Sequence, residues 1–303
     1  MREVIRMKRK ALGLTREKLC ELSGEICSPQ TLYRIEYGKV KVKAKVYKKL
    51  MECMEQLPEI NYTSIVVSNY PYLNLKSEIQ AHIFYKEYAL AEQKLLKLEQ
   101  EMNVAYVRNK QYLLEKKATI QFQRKEITEE VYLETLWEAL RYTIPNVDNI
   151  DLVNWPYNEE EFEILIQIAN AYQNKRQQKE ELLLKLKANV EQRYMEEKYY
   201  VIWHTLILFL LSQLMCINKQ YEMSLAYCKQ GIEELKSQRL TSYEHSFLYD
   251  IVWSMERQIQ QGIRPEKEQE ICEKFLIQAY YLSIAQKESI YSERIKKLYE
   301  KYC

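Results

Sequence analysis

Between Ser28 and Lys45 the sequence sets an amide (Gln30), a hydroxyl (Thr31), a phenol (Tyr33) and a guanidinium (Arg34) beside four lysines, Lys39, Lys41, Lys43 and Lys45. Arginine and glutamine can each make paired hydrogen bonds to a base edge, and spaced ammonium groups match a row of phosphates. The chemistry on offer is recognition of a nucleic-acid duplex. Residues that other chemistries need are scattered. The cysteines (20, 27, 53, 216, 228, 272, 303) form no C-x-x-C pair and the histidines (82, 204, 245) no H-E-x-x-H, so no metal site is spelled out and no cofactor is expected. The five glycines, Gly13, Gly24, Gly38, Gly231 and Gly262, never fall twice within ten residues, which excludes the dinucleotide fingerprint and the Walker loop.

Charge distribution supports the same reading. The net charge of +2 over 303 residues says little, but residues 1–56 hold fourteen Lys/Arg against seven acids, while the remainder holds 31 against 36. A basic head on a mildly acidic body is the asymmetry of a polyanion-binding module joined to something else. The head is placed at 1–57. Asn61–Tyr72 (NYTSIVVSNYPY) reads as an extended connector, with Pro71 disfavouring helix at Tyr70, and the linker is set at 58–76. Few glycines and prolines among abundant Leu, Glu, Lys, Gln, Ala and Met predict an all-α fold. The opening MREVIRMKRK lacks the apolar core of a signal peptide, and odd, unpatterned thiols suit the reducing cytoplasm. Val201–Ile217 is interrupted by His204, Thr205, Ser212 and Gln213 and is short for a membrane span, so a buried helix and no membrane are expected.

Gly13 can end a first helix, Thr15 caps a second containing Leu19 and Leu22, and Gly24 makes the turn. Ser28 as N-cap with Pro29 behind it opens a third, whose Leu32 and Ile35 face inward and whose end is marked by Gly38. Gln30, Thr31, Tyr33 and Arg34 are then directed away from the core.

GLTREKLCELSGEICSPQTLYRIEYGK resembles the phage-repressor-type (Xre/Cro) helix-turn-helix, through Gly13-Leu14-Thr15 and Arg34-Ile35-Glu36-x-Gly38-Lys39. The resemblance covers about fifty residues. It implies that Thr31–Tyr37 lie on a recognition helix, that Gln30 and Arg34 face bases, that Arg16, Ser28 and Lys39 lie near phosphates, and that Glu36 is structural. Lys41 and Lys43 extend the phosphate-facing set. The turn Ser23–Cys27 is longer than in the shortest phage repressors, and Pro29 and Tyr33 replace small polar residues, so base preference does not transfer.

From Ser77 on, the pattern predicts paired helices at 77–88 and 89–102, 103–121 and 128–142, 158–174 and 176–195, 197–217 and 220–237, 242–260 and 265–285, and a last helix to about 302. Small residues seven apart, Ser224/Gly231 and Cys272/Ala279, suit closely packed helical hairpins. Tyr221-Glu222-Met223-Ser224-x-x-Tyr227-x-x-x-Gly231-Ile232 is similar to the second helix of a tetratricopeptide (TPR) repeat, and Ile168-Ala169-x-x-Tyr172 to the end of its first. The repeat's tryptophan-leucine-glycine signature is missing and Thr143–Tyr157 is an unusually long insertion. Basic head, connector, divergent TPR-like α-solenoid at 77–303 and EALRYTIP at 138–145 together look like the peptide-pheromone-sensing Rgg/PlcR/Rap-like (RRNPP) regulators of Gram-positive bacteria.

That resemblance implies a homodimeric transcriptional regulator that binds duplex DNA and a short signalling peptide. Transferring repeat positions places Ile166, Asn170, Gln173 and Asn174, then Phe209, Gln213 and Cys216, on the ligand-facing surface. Amides such as Asn170 and Gln213 present donor and acceptor to an extended peptide. Tyr280, Tyr281, Ile284, Ile295 and Leu298 are candidates for the dimer contact. Two other readings stay open: a ligand-independent repressor using the body for protein partners, and a Rap-like phosphatase, for which Glu126, Glu129, Glu130, Glu134 and Glu138 offer carboxylates but read more simply as a solvated helix face.

Overall fold

Capping residues set the head. Thr15 Oγ1 accepts from the Lys18 amide at 3.1 Å and Ser28 Oγ from the Thr31 amide at 3.2 Å, each satisfying an orphan donor of a helix start. The helices are α1 (Arg2–Ala11), α2 (Arg16–Leu22), α3 (Pro29–Glu36) and α4 (Ala44–Glu55). Between α2 and α3, Gly24 (φ +67) and then Glu25 (φ +55) adopt left-handed backbone, which turns the chain sharply enough to cross the two helices. Ile5, Leu19, Leu32, Ile35, Leu50 and Met54 meet as the head's own core. In this computed structural model the described residues are 2–55, 71–102, 107–144, 146–192, 197–238, 240–241, 243–286 and 289–302, and they contain no strand. The greater part of the expected connector, 58–70, lies outside them.

The chain divides into two units, Met1–Asn174 and Lys175–Cys303. Beyond the head, the first holds α5 (Pro71–Phe84), α6 (Tyr88–Glu101), α7 (Val107–Gln123), α8 (Glu129–Arg141) and α9 (Glu159–Ala171). Leu75, Ile79, Ala91, Leu95, Leu98, Leu113 and Ile120 form a core among α5, α6 and α7. Asn158 and Glu161 close a reciprocal capping box at the start of α9. Burial pushes the Glu161 carboxyl above its ordinary range, and Lys8 of α1 draws it back. Helix α5 already includes Pro71, six residues before the expected Ser77. Conversely α9 stops at Ala171, so Gln173 and Asn174 lie in the turn beyond it.

The second unit holds α10 (Arg176–Glu191), α11 (Glu197–Ile217), α12 (Tyr221–Ser237), α13 (Glu244–Gln260), α14 (Gln269–Ala285) and α15 (Ser289–Tyr302). Tyr200–Ile217 is apolar and long enough for a membrane span, yet 72% of it is buried inside the protein, which makes it a core helix. Gly231 of α12 lies directly under the Phe247 ring of α13: a Cβ there would sit 2.2 Å from Phe247 Cζ.

Four hairpin corners share one geometry. Lys86, Lys125, Lys219 and Gly262 are left-handed (φ +61, +61, +62 and +70). The following amides donate back to the carbonyls of His82, Gln121, Met215 and Gln258 at 2.8–2.9 Å. This is the glycine-type helix end, here made three times with lysine, whose cation suits the negative helix terminus.

Candidate functional site

The head's surface is organised around a buried carboxylate. Glu36, on the inner face of α3, accepts from Arg9 Nε at 2.6 Å and from Arg16 Nε at 2.8 Å, while Arg9 also donates to the Leu14 carbonyl at 2.6 Å. The side chain of Glu36 is fully buried, so this paired carboxylate ties α1, α2 and α3 together. Glu36 is thus structural in geometry, and Arg16, expected near phosphates, is engaged by it with 27% of its side chain still exposed. Thr31 Oγ1 lies 2.9 Å from Ser28 Oγ, so both hydroxyls belong to the cap of α3.

What α3 and its C-cap residue Tyr37 present outward is Gln30, Tyr33, Arg34 and Tyr37, all exposed and spaced i, i+3, i+4, i+7. Lys39, Lys41 and Lys43 follow, also exposed. Tyr37, placed by the resemblance on the recognition helix but not named among its outward residues, joins them, and its spacing from Tyr33 was the available signal. The two rings pack at 4.6 Å; Arg16 lies 5.1 Å and Lys39 5.1 Å from the Tyr33 centroid, and Arg6 of α1 lies 4.7 Å from that of Tyr37.

In the first unit, α5, α7 and α9 share a polar layer that sequence reasoning did not find. Lys116 Nζ is held by Gln80, Glu115 and Glu163 at 3.0–3.1 Å. Glu115 accepts from Gln167 at 2.6 Å, and Glu160 accepts from Lys76 and Arg108 at 3.0 and 3.3 Å. Burial pushes the Glu115 carboxyl up against the pull of Lys116. Burial works against the Lys116 charge, but Glu115 and Glu163 outweigh it and its pKa is raised. Each charge buried here is paired, as low dielectric demands. Among the expected ligand-facing residues of this unit, Asn170, Gln173 and Asn174 are exposed, whereas Ile166 is buried (6%) and offers no open surface.

In the second unit, Phe209 is likewise buried, edge-on to Phe247 at 5.8 Å, because the apolar run of α11 is core on most sides. Cys216 is buried between Ser224 and Ser254, 3.0 Å from each hydroxyl. Gln213 is half-buried. Ser212 donates to Asp250 at 2.7 Å, and burial pushes that carboxyl up to about 7. A cavity of about 470 Å³ opens between α12, α13 and α14, with Leu225, Leu248, Ile251 and Phe275 among its walls; it includes none of the expected groove residues. Glu126, Glu130, Glu134 and Glu138 are exposed, a solvated edge rather than a catalytic cluster. Among the described residues no group of three His, Cys, Asp or Glu could hold a metal ion.

The four helices of the head, crossed at the Gly24–Glu25 turn, have the arrangement of a helix-turn-helix DNA-binding domain, joined to a body whose described residues contain no strand. A helix-turn-helix family model matches residues 5–55. No curated protein sequence matches the chain. Solved structures share the fold over nearly its whole length. The Bacillus thuringiensis protein PlcR in complex with the peptide PapR7 and DNA superposes with a TM-score of 0.59 at 18% identity, covering 97% of this chain and 98% of PlcR. Its apo form gives 0.58 at 15% identity, covering 91% and 98%. ComR from S. thermophilus, in complex with DNA and its signalling peptide ComS, gives 0.51 at 14% identity, covering 99% of each chain. The chain therefore has the fold of PlcR, a fold seen with both DNA and peptide bound.

Proposed function

We propose that this chain is a sequence-specific transcriptional regulator of the cytoplasm, acting as a homodimer, whose helical body binds a short signalling peptide and so changes its affinity for DNA. The head, expected at 1–57, reads the duplex, and the helical body, which begins no later than α5 at Pro71 instead of the expected 77, senses the peptide and dimerises. The observation that carries the reading is the exposed face of α3, Gln30–Tyr33–Arg34–Tyr37, backed by the Glu36 tie inside a matched helix-turn-helix. Arg34 and Gln30 contact base edges; Lys39, Lys41 and Lys43 contact phosphates; Ser28 and Thr31 set the start of α3, whose first amides face the backbone of the duplex.

The whole-chain likeness to PlcR supports a peptide ligand. Asn170, Gln173 and Asn174 in the first unit, and Gln213 in the second, are the amides proposed to pair with a peptide backbone; the neighbouring Ile166 and Phe209 of the expected set lie in the cores of their own units. A peptide that fits one arrangement of the body better than another shifts the population of dimers, and with it the spacing of two heads on half-sites. Footprinting on chromosomal fragments, followed by calorimetry with short hydrophobic peptides, tests both parts. Discrete protected sites and a peptide whose binding weakens in Asn170→Ala are the expected results. Absence of any protected site ends the DNA reading, and equal peptide affinity in Asn170→Ala ends the groove assignment.

A further inference from the structure

Half of the outward face of α3 is aromatic, and aromatic rings read DNA differently from amides and guanidinium groups. Tyr33 and Tyr37 are 36% and 46% exposed, and their rings lie 4.6 Å apart. Cations flank both. Arg16, itself fixed by Glu36 at 2.8 Å, lies 5.1 Å from Tyr33 and 5.8 Å from Tyr37. Lys39 lies 5.1 Å from Tyr33, and Arg6 lies 4.7 Å from Tyr37. The cations attract the ring faces, which favours the paired arrangement of the rings before any duplex arrives.

A ring edge or face in the major groove has one apolar counterpart among base edges, the 5-methyl of thymine. Resting on the DNA-reading function proposed above, we infer that the Tyr33–Tyr37 pair recognises thymine methyl groups. The half-site then holds at least one thymine whose methyl packs on this pair, beside the base contacted by Arg34. The same cations that brace the rings, Arg6 and Lys39, are delivered to the flanking phosphates.

The test begins with selection of bound duplexes from a random library by the full-length protein, then measures affinity by fluorescence anisotropy with each thymine of the selected site replaced by deoxyuridine. Loss of the methyl at one or two positions is expected to weaken binding about fourfold per position. Tyr33→Phe keeps the thymine–uracil difference, whereas the Tyr33→Ala/Tyr37→Ala double variant, checked for a wild-type melting curve, binds both duplexes equally. Should that double variant not fold, Tyr33→Gln, with its polar flexible side chain, is expected to lose the difference at the Tyr33-facing thymine. Selected sites that tolerate uracil everywhere overturn the inference, as does a thymine–uracil difference that survives loss of the rings. Failure to enrich any sequence overturns the DNA-reading function as well.

Discussion

Arg34 and Lys41 separate the two kinds of DNA contact. Arg34 stands on the outward face of α3, Lys41 in the segment after it, and both are exposed. Arg34→Ala is expected to cost about 1–3 kcal/mol with altered base preference, while Lys41→Ala weakens all sequences alike and lowers the salt slope by about one, both measured by anisotropy over a salt series. Among these residues the sequence was readable where chemistry and spacing coincide, as in Gln30, Tyr33 and Arg34. It gave no sign that Arg16 and Thr31 also have partners within the protein, Glu36 distant in the chain and Ser28 local. No pattern in one sequence announces such a partner. Asp250 makes a second residue-level test. Its folded pKa of about 7 stands above the ordinary 3.8, because burial disfavours the carboxylate more than the Ser212 hydroxyl favours it. Stability from this group is fully present below pH ~4 and is lost as pH rises towards and through about 7. Thermal melts across that window should show the decline in wild type and a flatter profile in Asp250→Asn, with the two proteins diverging most above pH 7. The titratable neighbours Cys216 and Cys228 both have pKa values raised by burial and stay neutral across the window.

Helices were legible wherever apolar periodicity met a cap, which is why α7, α8 and α11 to α14 lie close to their expected positions. Boundaries failed where an unusual residue took a special role. Pro71 lies in a helix instead of preventing one, and Lys86 takes the left-handed corner that glycine normally marks, so α5 ends four residues before the expected 88 and α6 begins one before the expected 89. The small-residue rule was sound at Gly231, where α12 and α13 touch. Gly231→Ala gains helix propensity but places a methyl against the Phe247 ring, and overpacking should win by about 1–3 kcal/mol in urea denaturation. An unchanged or increased midpoint would mean that Phe247 can shift aside.

At the scale of the whole molecule, the order of basic head and helical body could be read from charge and motif, but the division after Asn174 could not, since it falls where the pattern predicts an ordinary helical pair. Burial also sorts the expected dimer contacts. Ile295 is fully buried and cannot touch a partner, and Tyr280 is half-buried with its ring stacked on Tyr299 at 4.7 Å. Tyr281 and Ile284, 62% and 52% exposed on α14, remain available. Sedimentation velocity should find the Tyr281→Glu/Ile284→Glu variant as a monomer at concentrations where wild type is dimeric, with reduced affinity for paired half-sites but not for a single one. A dimeric double variant would move the contact elsewhere.

The lysines at the hairpin corners have one more consequence. Lys86, Lys125 and Lys219 are exposed and sit outside their helices. Each therefore presents trypsin with a scissile bond at the tip of a different hairpin, where the backbone can enter a protease cleft after only local fraying. Brief digestion read by mass spectrometry would follow three places along the chain at once, and a ligand that tightened one hairpin would silence its cut while sparing the others.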